Sequence, residues 1–259
     1  MTSTVERRRA RIISELSQVQ ELKVSELSDH LKVSEVSIRR DLQVLEDLGL
    51  LKRVYGGAVV VQEKGGSAGV STRWYHNLEK KERIGQATAQ MIQRGDHIIF
   101  DSGTTPLQVA RHLSQELLTA GNLTVITASL PIVHELGDKP GIHLILLGGV
   151  YLPAYELVVG PQTVENLKNL HADKFILGTD GLTFTHGTTT ANVLEAEVVR
   201  AMANASTEVI VVSDSSKIGL IGLAAIIPLP RINKLVIDND APSDFVDKLR
   251  EQGVEVIVV

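Results

Sequence analysis

The feature that most constrains the fold is a change of hydrophobic period on either side of a glycine- and serine-rich segment, residues 64–71. Apolar residues recur at helical spacing before this segment, and short apolar runs alternate with helical stretches after it. The segment itself has no apolar periodicity, which is typical of a flexible linker. We therefore predict two domains, residues 1–61 and 79–259, joined by a linker over residues 62–78.

The N-terminal domain carries the pattern of three short helices followed by a β-hairpin. Three groups of apolar residues fall at helical spacing: Ile12, Ile13, Leu16 and Val19, then Leu27 and Leu31, then Ile38, Leu42 and Leu45. Gly56 and Gly57 then separate two short apolar runs, which indicates a hairpin turn. Three helices and a hairpin in about 60 residues predict a winged helix-turn-helix.

The third helix begins after Ser34, a typical N-cap residue. Because its apolar positions must face the core, its opposite face is determined by the helical period. That face carries short polar groups, guanidinium groups and one apolar side chain: Val36, Ser37, Arg39, Arg40 and Gln43. Such side chains read base edges or bind phosphates in a major groove, and we expect Asp41 to orient one of the two arginines. The alternative is an ordinary solvated helix face.

Composition narrows the class of protein. The formal net charge is -5, but residues 1–60 hold ten Lys or Arg against nine Asp or Glu, so the acidic excess lies in the C-terminal part. There is no cysteine, no signal-peptide pattern and no apolar run long enough to span a membrane. We therefore expect a cytoplasmic protein that does not bind membranes.

The C-terminal domain shows seven apolar runs separated mostly by helical stretches. They are Ile98 to Phe100, Leu123 to Ile126, Ile142 to Leu147, Phe175 to Leu177, Val209 to Val212, Leu235 to Ile237 and Val254 to Val259. Alternation of this kind predicts an α/β domain with a mainly parallel sheet that is covered on both faces.

Four of these runs end in small or polar loops that lead towards helices. Because the carboxyl ends of parallel strands share one edge of a sheet, we expect these loops to form one ligand pocket. A Gly-Thr-Thr turn at a helix N-terminus suits a phosphate, and a lysine adds positive charge. Carboxylates accept hydrogen bonds from the hydroxyl groups of a sugar. The predicted effector-binding residues are Asp101, Ser102, Gly103, Thr104, Thr105, Ser129, Asp180, Gly181 and Lys217. Together they predict a phosphorylated polyol as ligand.

Several motifs resemble those of the DeoR family of bacterial repressors. The DNA-binding signature is similar over residues 37–42, 45–46 and 53–58, and the sensor motifs are similar over residues 101–105, 178–181 and 214–217. The resemblance implies that a wing over residues 52–58 tracks the DNA backbone, with Lys52, Arg53 and Tyr55 as contacts. It also implies a sensor fold similar to ribose-5-phosphate isomerase, a sugar phosphate as effector, and repression of a sugar metabolism operon.

An enzymatic alternative remains, namely an aldose-ketose sugar-phosphate isomerase with a DNA-binding appendage. Such chemistry needs a positioned carboxylate, and Glu195 and Glu197 are available on a predicted helix from Asn192 to Ala203. The isomerases, however, have a second acidic residue where this chain has Thr183 after Asp180-Gly181-Leu182, and they have a loop lysine that is missing here. We therefore expect no catalytic residues, and nothing in the sequence calls for a cofactor. No pair of histidines has metal-ligand spacing with acidic partners, so we expect no metal site.

A single winged helix covers too few base pairs to specify an operator. We therefore expect a homodimer or homotetramer that binds symmetric half-sites.

Overall fold

The structure is a computed structural model that describes residues 3–61 and 70–259. It divides into two compact units, Met1–Glu79 and Lys80–Val259. Of the predicted linker, residues 62–69 lie outside the described residues. Residues 70–78 contain one helix and the first residue of the next.

The first unit consists of three helices, a three-stranded sheet and a fourth helix. Its elements are α1 (Thr4–Val19), β1 (Glu21–Lys23), α2 (Val24–Leu31), α3 (Glu35–Asp47), β2 (Leu51–Val54), β3 (Gly57–Val60) and α4 (Val70–Tyr75). The next helix, α5 (Leu78–Ala89), runs across the boundary between the two units.

Local capping explains where the first unit's helices begin. Ser3 and Glu6 form a capping box at the start of α1, and the Ser34 side chain accepts the Ser37 N–H at the start of α3. Most of the predicted apolar positions form the core, because Ile12, Leu27, Ile38, Leu42 and Leu45 are fully buried. The last predicted position of each of the first two helices does not, since Val19 is 55% exposed and Leu31 is half-buried.

The hairpin depends on two adjacent glycines for different reasons. Gly56 lies at the turn with φ +78°, in the left-handed region that favours glycine. Gly57 pairs with Lys23 of β1, and an added Cβ would lie 2.2 Å from the Leu22 carbonyl oxygen. β1 therefore packs too closely on β3 to admit any side chain at Gly57, and the sheet has the order β1-β3-β2.

The second unit alternates strands and helices. Its further elements are β4 (His97–Phe100), α6 (Thr104–Arg111), α7 (Gln115–Ala120), β5 (Leu123–Thr127), α8 (Leu130–Leu136), β6 (Ile142–Leu146), β7 (Val150–Leu152), β8 (Leu157–Val159), α9 (Pro161–Leu167), β9 (Ala172–Leu177), β10 (Gly181–Thr183), β11 (Gly187–Thr190), α10 (Val193–Asn204), β12 (Ser206–Ser213), β13 (Ala224–Ala225), β14 (Lys234–Ile237), α11 (Ser243–Glu251) and β15 (Glu255–Val258).

Seven strands form one sheet in the order β15-β14-β12-β9-β4-β5-β6, and every pair in it is parallel. These are the seven strands predicted from the apolar runs, so the predicted fold class is confirmed. Successive residues of β4, β9 and β12 are buried, which means that both faces of the sheet centre are covered. The four strands with predicted ligand loops, β12, β9, β4 and β5, are adjacent.

Two small antiparallel sheets complete the second unit: β7 with β8, and β11 between β10 and β13. In residues 3–61 and 70–259, no helix combines the length and the apolar character that crossing a bilayer requires.

Candidate functional site

The outward face of α3 presents an apolar side chain beside a cation. Val36 is 74% exposed and Arg40 is also exposed, whereas Ile38, Leu42 and Leu45 on the opposite face are buried. Arg40 makes no hydrogen bond or ion pair with any residue that the structure describes. Its guanidinium group is therefore available to an external acceptor.

The flanking polar residues of α3 are tethered within the helix. Arg39 donates to Glu35 at 2.7 Å, and Gln43 donates to Asp47 at 2.8 Å. Ser37 is half-buried, with its hydroxyl 3.1 Å from that of Ser34. Arg39 is exposed and Gln43 is half-buried, so a change of rotamer can exchange each of these hydrogen bonds for one with another partner.

The hairpin presents an aromatic tip and two basic side chains. Tyr55 is fully exposed and Lys52 is exposed. Arg53 donates its backbone N–H and its Nε to the two carboxylate oxygens of Glu46, each at 2.8 Å. These bonds lower the pKa of Glu46, so α3 and β2 are joined by a charged, bidentate contact.

The prediction that Asp41 orients one of the two arginines of α3 was wrong. Asp41 is buried and does not orient Arg39 or Arg40. Its carboxylate accepts from Arg8 Nε at 2.5 Å and from Arg9 Nε at 2.9 Å, both on α1. Three or four residues separate helical positions that share a face, so Asp41 lies with Ile38 and Leu45 on the inward side.

In the second unit, the turn after β4 has the shape of an anion cradle. Gly103 caps α6 with φ +105°, and an added Cβ would meet only the Cδ atom of Pro106, at 3.9 Å. The side chains of Thr104 and Thr105 are buried in the first turn of the helix. The first N–H groups of a helix have no acceptor within it, so this turn can bind an anion.

Asp101 lies beneath this turn and connects two strand ends. It is 3% exposed, and its two carboxylate oxygens accept the backbone N–H groups of Ser102 at 2.7 Å and Gly178 at 3.1 Å. Burial raises its pKa well above the usual value, and the negative charges of Glu195 and Asp180 add to this effect, although the two backbone bonds oppose it. Asp101 therefore holds the ends of β4 and β9 together.

A chain of hydroxyls and carboxylates links three elements beside Asp101. Glu195 on α10 lies 3.4 Å from the Ser102 hydroxyl and accepts from the Thr190 hydroxyl at 2.6 Å. The Thr190 hydroxyl also lies 3.1 Å from Asp180, which accepts the Ala191 N–H at 3.2 Å. The predicted loops after β4 and β9 are thus connected through Glu195 and Thr190.

Of the two glutamates on α10, only Glu195 faces this cluster. Glu195 is 8% exposed, whereas Glu197 is exposed on the other side of the helix. Thr190 was missed, and Glu195 was considered only as a catalytic group. The signal available in the sequence was the run of three threonines, residues 188–190, directly before the predicted helix that carries Glu195. The structure shows all three buried, although threonine is usually exposed.

The remaining predicted residues, Ser129, Gly181 and Lys217, lie outside this cluster of hydrogen bonds. Ser129 is buried at the end of β5, and its hydroxyl has no hydrogen-bond partner among the residues described. Gly181 is packed under the chain at Leu220, whose carbonyl oxygen would lie 2.2 Å from an added Cβ. Lys217 is half-buried and precedes Ile218, which bridges to Leu182 of β10.

The site therefore combines backbone and hydroxyl donors with carboxylate acceptors, which suits a ligand that carries both an anion and several hydroxyl groups. In the described parts of the chain, no group of three or more His, Cys, Asp or Glu side chains has a metal-binding arrangement.

Comparison with known proteins identifies both units. The family model "DeoR-like helix-turn-helix domain" matches residues 8–64, and the model "DeoR C terminal sensor domain" matches residues 76–239. The second model alone covers more than half of the chain.

Two relatives are similar over nearly their whole length. The chain is 34% identical to a putative aga operon transcriptional repressor of Escherichia coli O157:H7, covering 100% of this chain and 95% of that protein. It is 33% identical to the HTH-type transcriptional regulator GolR of Listeria innocua, covering 96% of both. These relatives are named as regulators and not as enzymes, which argues against the isomerase alternative.

Among solved structures, ribose 5-phosphate isomerase A from Methanocaldococcus jannaschii is similar with a TM-score of 0.39 and 17% identity. The match covers 55% of each chain.

Proposed function

Because the chain belongs to the DeoR family of transcriptional regulators, we propose that it represses a sugar metabolism operon under the control of a phosphorylated sugar. The observation that carries the proposal is the outward face of α3, where Arg40 and Val36 are exposed opposite a fully buried apolar face. An unpaired guanidinium group on an exposed helix of this unit suits bidentate recognition of a guanine edge. Ser37, Arg39 and Gln43 would supply neighbouring contacts.

The wing would add contacts that do not depend on base sequence. Lys52 and Tyr55 are exposed on the hairpin, and Arg53 would contact phosphate once released from Glu46. Such phosphate contacts strengthen binding to every duplex and weaken as salt rises. Changing Lys52 to Ala is expected to lower the slope of log affinity against log salt by about one.

The DNA-binding proposal is tested by selecting duplexes from a random pool with the full-length protein. We expect one enriched sequence with two symmetric half-sites, and Arg40→Ala should weaken binding to it by about 1–3 kcal/mol. Arg94→Ala is the matched control, because Arg94 is an exposed arginine of the second unit. An unchanged affinity for Arg40→Ala, with the second unit still folded, contradicts the assignment of α3.

The effector would bind where the strand-end loops meet. Gly103, Thr104 and Thr105 would bind the phosphate with Lys217, while Ser102, Ser129 and Asp180 would face the sugar hydroxyls. Asp101 and Gly181 would shape the site, because Asp101 is engaged by backbone N–H groups and Gly181 is covered by backbone.

A melting-temperature screen of sugar phosphates and the matching free sugars tests the effector site. A ligand at a hundredfold its Kd adds about 2.7 kcal/mol, which raises the melting temperature of a domain of this size by about 5–10 °C. Lys217→Ala should abolish the shift, whereas Lys248→Ala, which removes an exposed lysine from α11, should not. Equal shifts with free sugars contradict the phosphate site.

We also propose a cytoplasmic homodimer or homotetramer, since two half-sites need two winged helices in register. Light scattering of the full-length protein should give a mass at least twice that of the chain, and a monomer bound to a full operator would contradict this.

A further inference from the structure

The recognition helix α3 is bonded to α1 through one buried carboxylate. The Asp41 side chain is 2% exposed and accepts from Arg8 and Arg9 through different oxygens, at 2.5 and 2.9 Å. Because these two arginines are consecutive, both stems must leave α1 in a defined direction to reach the same carboxylate. The orientation of α3 against α1 is therefore set by this contact in addition to apolar packing.

Arg9 also links α1 to α4. The Arg9 guanidinium group also donates to the Tyr75 hydroxyl. Tyr75 is buried, as is the neighbouring Trp74, and α4 packs on α1. Glu79, four residues after Tyr75, forms a second link to α1, because its carboxylate lies 3.1 Å from Arg11 Nε. The segment that leads towards the second unit is thus bonded to the helix that holds α3.

The residue after Glu79 belongs to a separate set of bonds in the second unit. Lys80 Nζ lies 2.9 Å from Asp238, 2.7 Å from Asp240 and 3.0 Å from the Ser215 hydroxyl. Ser215 begins the single helical turn that ends at Lys217. Glu79 and Lys80 are adjacent residues of helix α5, so the two sets of bonds attach to consecutive residues of one helix.

We propose that Tyr75 and Arg9 are positioning residues for the recognition helix, and that the effector acts on DNA affinity through Ser215, Lys80, α5 and this network. The effector part rests on the function proposed above. A ligand that moves the 215–217 turn changes the hydrogen bond between Ser215 and Lys80. The resulting displacement of α5 shifts Tyr75 and, through it, the contacts of Arg9 with Asp41. A route of this kind transmits a signal only if its bonds have two discrete arrangements that the ligand distinguishes.

The network is tested first in the free protein by amide hydrogen exchange. Tyr75→Phe removes one of the two acceptors of Arg9, leaves Asp41 as the other, and keeps the buried ring. We expect amides of α3 to exchange about tenfold faster, whereas amides of the second unit keep their rates. Tyr151→Phe is the matched control, because it removes a hydroxyl from the surface of the second unit. Unchanged exchange in α3 overturns the positioning role.

Measurements of DNA affinity distinguish a positioning role of Tyr75 from a general loss of structure in the first unit. A tilted recognition helix loses base contacts but keeps most phosphate contacts, so Tyr75→Phe should lower the ratio of affinities for selected and random duplexes about tenfold. Equal weakening on both duplexes means that the residue only supports the fold.

The role of α5 is tested without DNA or effector. Trp74 is the single tryptophan of the chain, so its quenching by acrylamide reports on α4 alone. Lys80→Met removes the charge that binds Asp238 and Asp240, and we expect the quenching constant of Trp74 to change about twofold. Lys248→Met should leave it unchanged. No change with Lys80→Met overturns the coupling, whereas failure of the duplex selection would instead count against the proposed function.

Discussion

Replacing Asp41 with alanine measures how strongly the buried carboxylate stabilises the first unit. The substitution removes two charge-assisted hydrogen bonds and takes a buried carboxylate away from the guanidinium groups of Arg8 and Arg9. Breaking a buried ion pair from one side costs about 3–5 kcal/mol. The side chains of Arg8 and Arg9 are each 18% exposed and can turn partly to water, so we expect the lower end of this range, about 3 kcal/mol.

Urea unfolding followed by Trp74 fluorescence is the assay, because this tryptophan is buried in the first unit and is the only one in the chain. Asp41→Asn keeps one oxygen acceptor and should lose about half as much free energy of unfolding as Asp41→Ala. Asp29→Ala is the control, because it removes an exposed aspartate from α2 and should change stability by no more than about 0.5 kcal/mol.

A loss of less than about 1 kcal/mol for Asp41→Ala would refute the reasoning. It would mean that Arg8 and Arg9 gain as much from water as from Asp41, and that apolar packing alone holds α3 on α1.

Three further predictions concern single groups. Burial raises the pKa of Asp238, but bonds led by that of Lys80 outweigh it and the net pKa is lowered. The Lys80–Asp238 ion pair therefore stabilises the fold above the unfolded pKa of about 4, and this stabilisation is lost as pH falls through the folded pKa of Asp238. The melting temperature of Lys80→Met should accordingly fall less on acidification than that of wild type. Burial, and after it the charge of Glu195, raises the pKa of Asp101, so the fold loses stability as pH rises through that pKa. Glu195→Gln should reduce this loss of stability, as measured by melting curves between acidic and neutral pH. Gly57→Ala should cost about 2 kcal/mol or more in urea unfolding, since its Cβ would overlap the backbone of β1.

Local patterns predicted most of the secondary structure but not the shortest strands. The strands of the large sheet were visible as apolar runs because buried parallel strands are apolar on both faces. β1, β10 and β11 have only three or four residues and are rich in glycine, threonine or charge. They are strands because distant backbone pairs with them, and this pairing leaves no periodic signal in so few residues.

The candidate site shows the same division. The turn at Gly103 and the outward side chain of Arg40 could be predicted, since each follows from a short stretch of chain. The difference between Glu195 and Glu197 could also have been predicted, because positions two apart on a helix point to nearly opposite faces. That Glu195 meets Ser102 and Thr190 could not be predicted.

The sequence by itself determined the three helices of the first unit, the seven strands of the large sheet, the outward face of α3 and the strand ends that carry polar loops, because these depend on spacing along the chain. Only the tertiary structure decided that Asp41 binds Arg8 and Arg9 rather than its neighbours on α3, and that Asp101 joins β4 to β9. Partners of a buried charge are chosen by which elements pack together and by which donors can reach it once water is excluded, and neither is set by sequence distance.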